Sequence, residues 1–178
     1  MKNLKYSLII LFIFTALSCE TDIPATDTIP PEFTFRITGD GFEHVFNQDE
    51  DYSNLQLNLK TGASYDFIYT GSDEGGVKTI QWQLPINDYI EITSTIPDNW
   101  ENNISGLSRI IQWNGNRNNP LTGNILSGTF EAHTVDNFTT DAFRFTVSDF
   151  GGESGSSNTV FRELTIVIGS QDTEIIEL

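Results

Sequence analysis

The chain holds a single cysteine, Cys19, so no intramolecular disulfide can form and the fold must stand on its core alone. Basic residues are scarce, with 9 lysines and arginines against 25 acids. The resulting net charge of −16 repels a polyanion and excludes nucleic acid as a partner. Only two histidines occur, His44 and His133, each in a strand-like segment with no metal or catalytic partner at a recognisable spacing. Gly-x-Ser-x-Gly, His-Glu-x-x-His and phosphate-loop patterns are missing as well, so no motif names a reaction. A carboxylate pair for glycoside hydrolysis depends on spatial distance, but a compact domain of this size leaves little room for a deep cleft. These absences favour a protein that is not an enzyme and needs no organic cofactor.

What the sequence does have begins at its first residues. Lys2 and Lys5 form a basic start, Leu8 to Phe14 is wholly apolar, and Thr15-Ala16-Leu17-Ser18 brings small residues before Cys19. That is the layout of a secretory signal peptide over 1–18. The apolar run falls well short of the roughly 20 residues that a membrane-spanning helix needs. Removing residues 1–18 takes away Lys2 and Lys5 and no acid, which moves the formal charge from −16 to −18.

Ala16-Leu17-Ser18-Cys19 resembles the lipobox of bacterial lipoproteins, particularly the looser form found in Bacteroidetes-type bacteria. It departs from the usual pattern in carrying Ala16 where Leu is common. The resemblance implies that Cys19 is acylated and becomes the mature N-terminus, anchored by several acyl chains because one binds membranes only marginally. The competing reading is an ordinary signal-region cysteine, cleaved away or left as a free thiol. Glu20-Thr21-Asp22 resembles the acidic export signal of lipoproteins sent to the outer face of the outer membrane.

From residue 19 to 31 there is almost nothing to bury, so the segment reads as a flexible tether. Within it Asp27-Thr28-Ile29 resembles a Bacteroidetes O-glycosylation motif, which would modify Thr28. After Pro31 apolar residues alternate: Phe33, Phe35 and Ile37; Leu55, Leu57 and Leu59; Tyr65, Phe67 and Tyr69; Ile80, Trp82 and Leu84; Ile90 and Ile92. The pattern returns at Phe130 and Ala132, at Phe143, Phe145 and Val147, and at Leu164, Ile166 and Ile168. Period-two runs punctuated by Gly, Asn, Asp and Ser predict an all-β antiparallel sandwich or barrel over 32–169. Residues 170–178 are expected to be a C-terminal tail.

Asp141-Ala-Phe143-Arg-Phe145-Thr-Val147 resembles the strand-F signature of immunoglobulin-like domains, and Trp82 falls where that fold buries a tryptophan. Phe143 lacks the hydroxyl of a tyrosine corner and Phe145 replaces the cysteine, so the resemblance implies an Ig-like β-sandwich without a disulfide. Residues 85–124 do not match it and are expected to add strands and loops.

Ser72-Asp73-Glu74-Gly75-Gly76 is echoed by Ser148-Asp149-Phe150-Gly151-Gly152. The Ig resemblance places both at one end of the sandwich. Their residue types suit tight turns with Asp caps and positive-φ glycines. They also suit a calcium site with Asp73, Glu74 and Asp149 as oxygen ligands. Asp49-Glu50-Asp51 reads as a solvated loop. Trp100 and Trp113 lie among polar residues and are candidates for stacking on a glycan, against the competing expectation that such large rings are buried. The functional expectation is a surface-exposed binding or adhesion module tethered by a lipid. Its rivals are a carbohydrate-binding accessory protein of a glycan-uptake system and a structural subunit that partners an envelope protein.

Overall fold

The computed structural model describes residues 23–86 and 88–178; the signal segment and Cys19 lie outside them. The chain enters through a hairpin of β1 (Glu32–Gly39) and β2 (Phe42–Asn47), then a 3₁₀ turn at Tyr52–Asn54. β3 (Leu55–Lys60), β4 (Ser64–Ser72) and β5 (Val77–Pro85) follow. The irregular middle supplies β6 (Ile90–Ile92), β7 (Glu101–Ser105) and β8 (Ser108–Asn114). β9 (Gly123–Ala132), β10 (Phe138–Asp149), β11 (Thr159–Gly169) and β12 (Glu174–Glu177) complete the order.

Two sheets face each other, β2-β1-β4-β9-β6 and β12-β3-β11-β10-β5-β8-β7. All their neighbouring pairs are antiparallel except β11 with β3. This is an all-β sandwich without a disulfide; the alternating runs predict a sandwich or barrel, and the strand-F resemblance implies an Ig-like one. Each run buries its apolar side: Phe33, Phe35 and Ile37 from β1 meet Ile80, Trp82 and Leu84 from β5 and Phe143, Phe145 and Val147 from β10. The contact is largely aromatic. Phe35 of the smaller sheet lies 4.8 Å from Phe145 and 5.2 Å from Trp82 of the larger, measured between ring centres. Phe67 of β4 adds a second contact to Trp82 at 4.9 Å. The absent tyrosine corner has a counterpart across the sandwich. Tyr69 of β4 sends its hydroxyl to the carbonyls of Gln81 and Thr146, 3.2 and 3.3 Å away and opposite each other on β5 and β10.

Two boundaries differ from the sequence reading. Residues 170–178 are not a free tail, because β12 pairs antiparallel with β3 and Leu178 N–H donates to Asn54 O at 2.9 Å. Buried Thr173 secures the approach to it: its hydroxyl hydrogen-bonds the Tyr65 hydroxyl at 2.6 Å and donates to Asp40 at 3.0 Å. The physical reason is the open edge of β3, whose backbone groups need partners, together with half-buried Ile175. The second difference is at the other end of the chain, where the described part of the tether is docked rather than free.

Candidate functional site

The docked segment lies across the loops that join β4 to β5 and β10 to β11. Pro24 O accepts from Glu153 N–H at 2.8 Å, and Ala25 O accepts from Ser154 Oγ at 3.3 Å. Asn158 donates its side-chain amide to Asp27 O and Ile29 O at 3.2 and 3.4 Å. The two echoed glycine pairs make this approach feasible. A Cβ on Gly75 would stand 2.4 Å from Asp27 Oδ2, and one on Gly152 would stand 2.8 Å from Asp27 N. Gly152 also has φ +79°, a conformation that L side chains rarely adopt.

Asp27, Asp73 and Asp149 converge there. Each offers a carboxylate oxygen, and the three oxygens lie within 4.8 Å of one another. Asp149 follows Phe143, Phe145 and Val147 on the inner face of β10, so alternation turns its carboxylate into the end of the core, fully buried. Its oxygens accept from Asn158 N–H at 2.7 Å and from Asn158 Nδ2 at 2.6 Å. Next to it Lys78 bulges out of the β5–β10 ladder, since Ser148 faces Thr79 and Asp149 faces Val77. Asp73 closes its turn by accepting from Gly75 N–H at 2.8 Å, and Asp27 closes its own by accepting from Ile29 N–H at 3.0 Å. The loops also touch directly, Phe150 N–H donating to Gly76 O at 3.3 Å.

Crowding has an electrostatic consequence. Burial, and then the charges of Asp27 and Asp149, push the Asp73 carboxyl up from 3.8 to about 6, against the lowering effect of the Gly75 N–H. Three converging carboxylates with turn-fixed oxygens can hold a divalent cation, which relieves that repulsion. Beside them opens a pocket of about 710 Å³, walled by the docked segment and the β4–β5 loop.

The sequence-predicted site residues divide. Asp73 and Asp149 come together as their echoed motifs suggest. Glu74 stands outside the group, exposed on the turn, and Asp27 takes the third place. Thr28 is exposed beside Asp27, and Cys19 lies outside the described residues. Trp100 and Trp113 do not offer faces to a sugar: they are 5% and 6% exposed and belong to the main core. Trp113 sits opposite Ile80 in the β5–β8 ladder, which turns it inward whatever its polar neighbours. The acidic run at 49–51 is structural. Glu50 accepts from Asn47 N–H at 3.2 Å, and Asp51 caps the 3₁₀ turn, where bonds from Ser53 hold its carboxyl below the usual range.

Asn158 and Arg117 were not singled out by sequence reasoning. Arg117 braces the β10–β11 loop by donating to the carbonyls of Phe150, Gly152 and Glu153 at 3.3, 2.6 and 3.0 Å.

No protein-family model matches this chain, and no curated protein does. Among solved structures it is similar to the cohesin module of a Clostridium perfringens family 33 glycoside hydrolase, at 13% identity over 64% of this chain and 95% of that module. The TM-score is 0.36, a likeness that carries no argument about site or partner.

Proposed function

We propose that the protein is a non-enzymatic binding module, lipid-anchored through Cys19 in the outer membrane of a bacterial envelope and displayed at the cell surface. Calcium bound by Asp27, Asp73 and Asp149 orders its loop end. The observation that carries the reading is the convergence of those three carboxylates from the tether and from two loops distant in sequence. Calcium fits an all-oxygen donor set better than zinc, which prefers nitrogen and sulfur. Because Asp27 belongs to the segment that follows the anchor, the ion fastens tether to sandwich and fixes how the loop end faces outward. The adjoining pocket, with Ile29, Pro30, Glu32, Glu74 and Thr122 among its walls, supplies a recess there for part of an envelope-protein partner.

The test is a pull-down from detergent-solubilised membranes with the lipidated protein as bait, in calcium and in chelator. A partner retained in calcium and released by chelator is expected; no specific partner under either condition would sink the binding reading. Separately, globomycin, which blocks lipoprotein signal peptidase, should cause the precursor to accumulate. Normal processing in its presence would remove the lipid anchor from the account.

A further inference from the structure

We propose that the open edge of β7 is a self-association site, at which two copies of this chain pair strand to strand about a two-fold axis centred on Asn103. β7 ends one side of the larger sheet, with β8 on one flank and no strand on the other among the described residues. All five of its residues are exposed. A strand so placed presents a row of backbone N–H and C=O groups whose spacing another extended chain matches.

The turn into β8 fixes which groups those are. Ser105 and Ser108 face each other across the two-residue turn Gly106-Leu107, with Gly106 at φ +61°. A turn of that length closes on a hydrogen-bonded pair, and bonded and non-bonded pairs then alternate along the ladder. Asn103 and Glu101 therefore bond β8, while the N–H and C=O of Asn102 and Ile104 point to the open side. The other sheet edges are guarded in ways that β7 is not. β6 and β12 are only three and four residues long, β12 with a glutamate at each end, and β2 carries Glu43. β7, Glu-Asn-Asn-Ile-Ser, has no proline, lysine or bulge.

The occupant follows from self-complementarity. In an antiparallel pairing centred on Asn103, Asn102 of one copy meets Ile104 of the other, so the outward-pointing groups of both chains face each other. Each of these two pairs exchanges both of its backbone hydrogen bonds. Glu101 falls opposite Ser105, and Asn103 falls opposite Asn103, whose amides both donate and accept, so no like charges are opposed. The two Ile104 side chains become diagonal neighbours within reach of each other. Ile104 is 65% exposed in the single chain, so the pairing takes apolar surface out of water. A net charge of −16 on each copy opposes the approach, which makes the dimer weak in dilute salt and tighter as salt screens the repulsion.

The test is sedimentation equilibrium of the intact protein in density-matched detergent, over a concentration series at low and high salt, with hydrogen exchange read at both ends of the series. A monomer–dimer equilibrium that tightens with salt is expected. Exchange at Asn102 and Ile104 N–H should slow as the dimer forms, while Asn103 N–H is protected throughout. Asn102→Pro removes an outward donor from each copy without touching a bond to β8. It should weaken dimerisation at least about tenfold and leave the thermal midpoint of the monomer near that of the parent. Asn103→Asp sets two carboxylates opposite each other and should weaken it severalfold, a loss that high salt partly restores. Asp27→Asn should leave the dimer constant unchanged, which separates this edge from the calcium reading. A monomer at every concentration, or a dimer that Asn102→Pro leaves unaltered, would overturn the proposal, whatever foreign strand β7 is found to bind.

Discussion

Replacing Asp73 by Asn should stabilise the cation-free protein and abolish its response to calcium, two effects of opposite sign from one atom. The carboxyl titrates near 3.8 when unfolded and at about 6 when folded. Between those values the folded state holds the extra proton, so this group's contribution to stability is greatest below about pH 4 and is lost as pH rises through about 6. The full shift corresponds to about 3 kcal/mol at pH 7. Asp73 is only partly buried, and solvent screening brings this to about 1–2 kcal/mol. Asn removes the charge and keeps the oxygen that accepts from Gly75 N–H. In chelator at pH 7.5 the variant should therefore melt about 2–8 °C above the parent, and the gap should close by pH 4. Calcium at a hundred times its Kd should add about 2.7 kcal/mol to the parent and little to the variant. Urea unfolding with and without calcium, at pH 4 and pH 7.5, measures all four values. A variant less stable than the parent in chelator would refute the reasoning about carboxylate repulsion.

Other outcomes follow from the same geometry. Gly75→Ala puts a methyl carbon against Asp27 Oδ2, so it should displace the tether segment. Faster hydrogen exchange at Glu153 N–H and Ile29 N–H would show this, while the core amides of β10 stay protected. Tyr69→Phe removes the one hydroxyl proton that the Gln81 and Thr146 carbonyls of the facing sheet share and should cost about 1–2 kcal/mol by urea unfolding, with calcium affinity unchanged. Phe35→Ala opens the aromatic layer at its centre and should cost about 3–5 kcal/mol, a large share of the stability of a domain this size.

The strands that were legible in the sequence are those with one dry and one wet face. β1, β4, β5, β10 and β11 alternate because the sandwich buries every second side chain, and that pattern survives in a bare sequence. β7 could not be read this way, since all five of its residues are exposed and its place depends on backbone pairing with β8. β12 was hidden for a related reason: adjacent Ile175 and Ile176 are both half-buried at a sheet edge and show no alternation. For Trp113 the Asn-rich neighbours leave glycan contact and burial both open, and register against Ile80 decides for burial. Asp73 and Asp149 were legible through the repeated Ser-Asp-x-Gly-Gly. Asp27 was not, because its composition marks a linker and only the docked backbone brings it to the loops. The signal for it lay in the repeat itself, where Gly75 and Gly152 leave room for a chain to approach.

Calorimetric titration of the intact protein with calcium, beside its Asp27→Asn and Asp149→Asn variants, bears most directly on the central claim. One ion per chain is expected, with binding lost in Asp149→Asn and at least about tenfold weaker in Asp27→Asn. No heat of binding in the parent, or equal affinity in all three chains, would contradict the account.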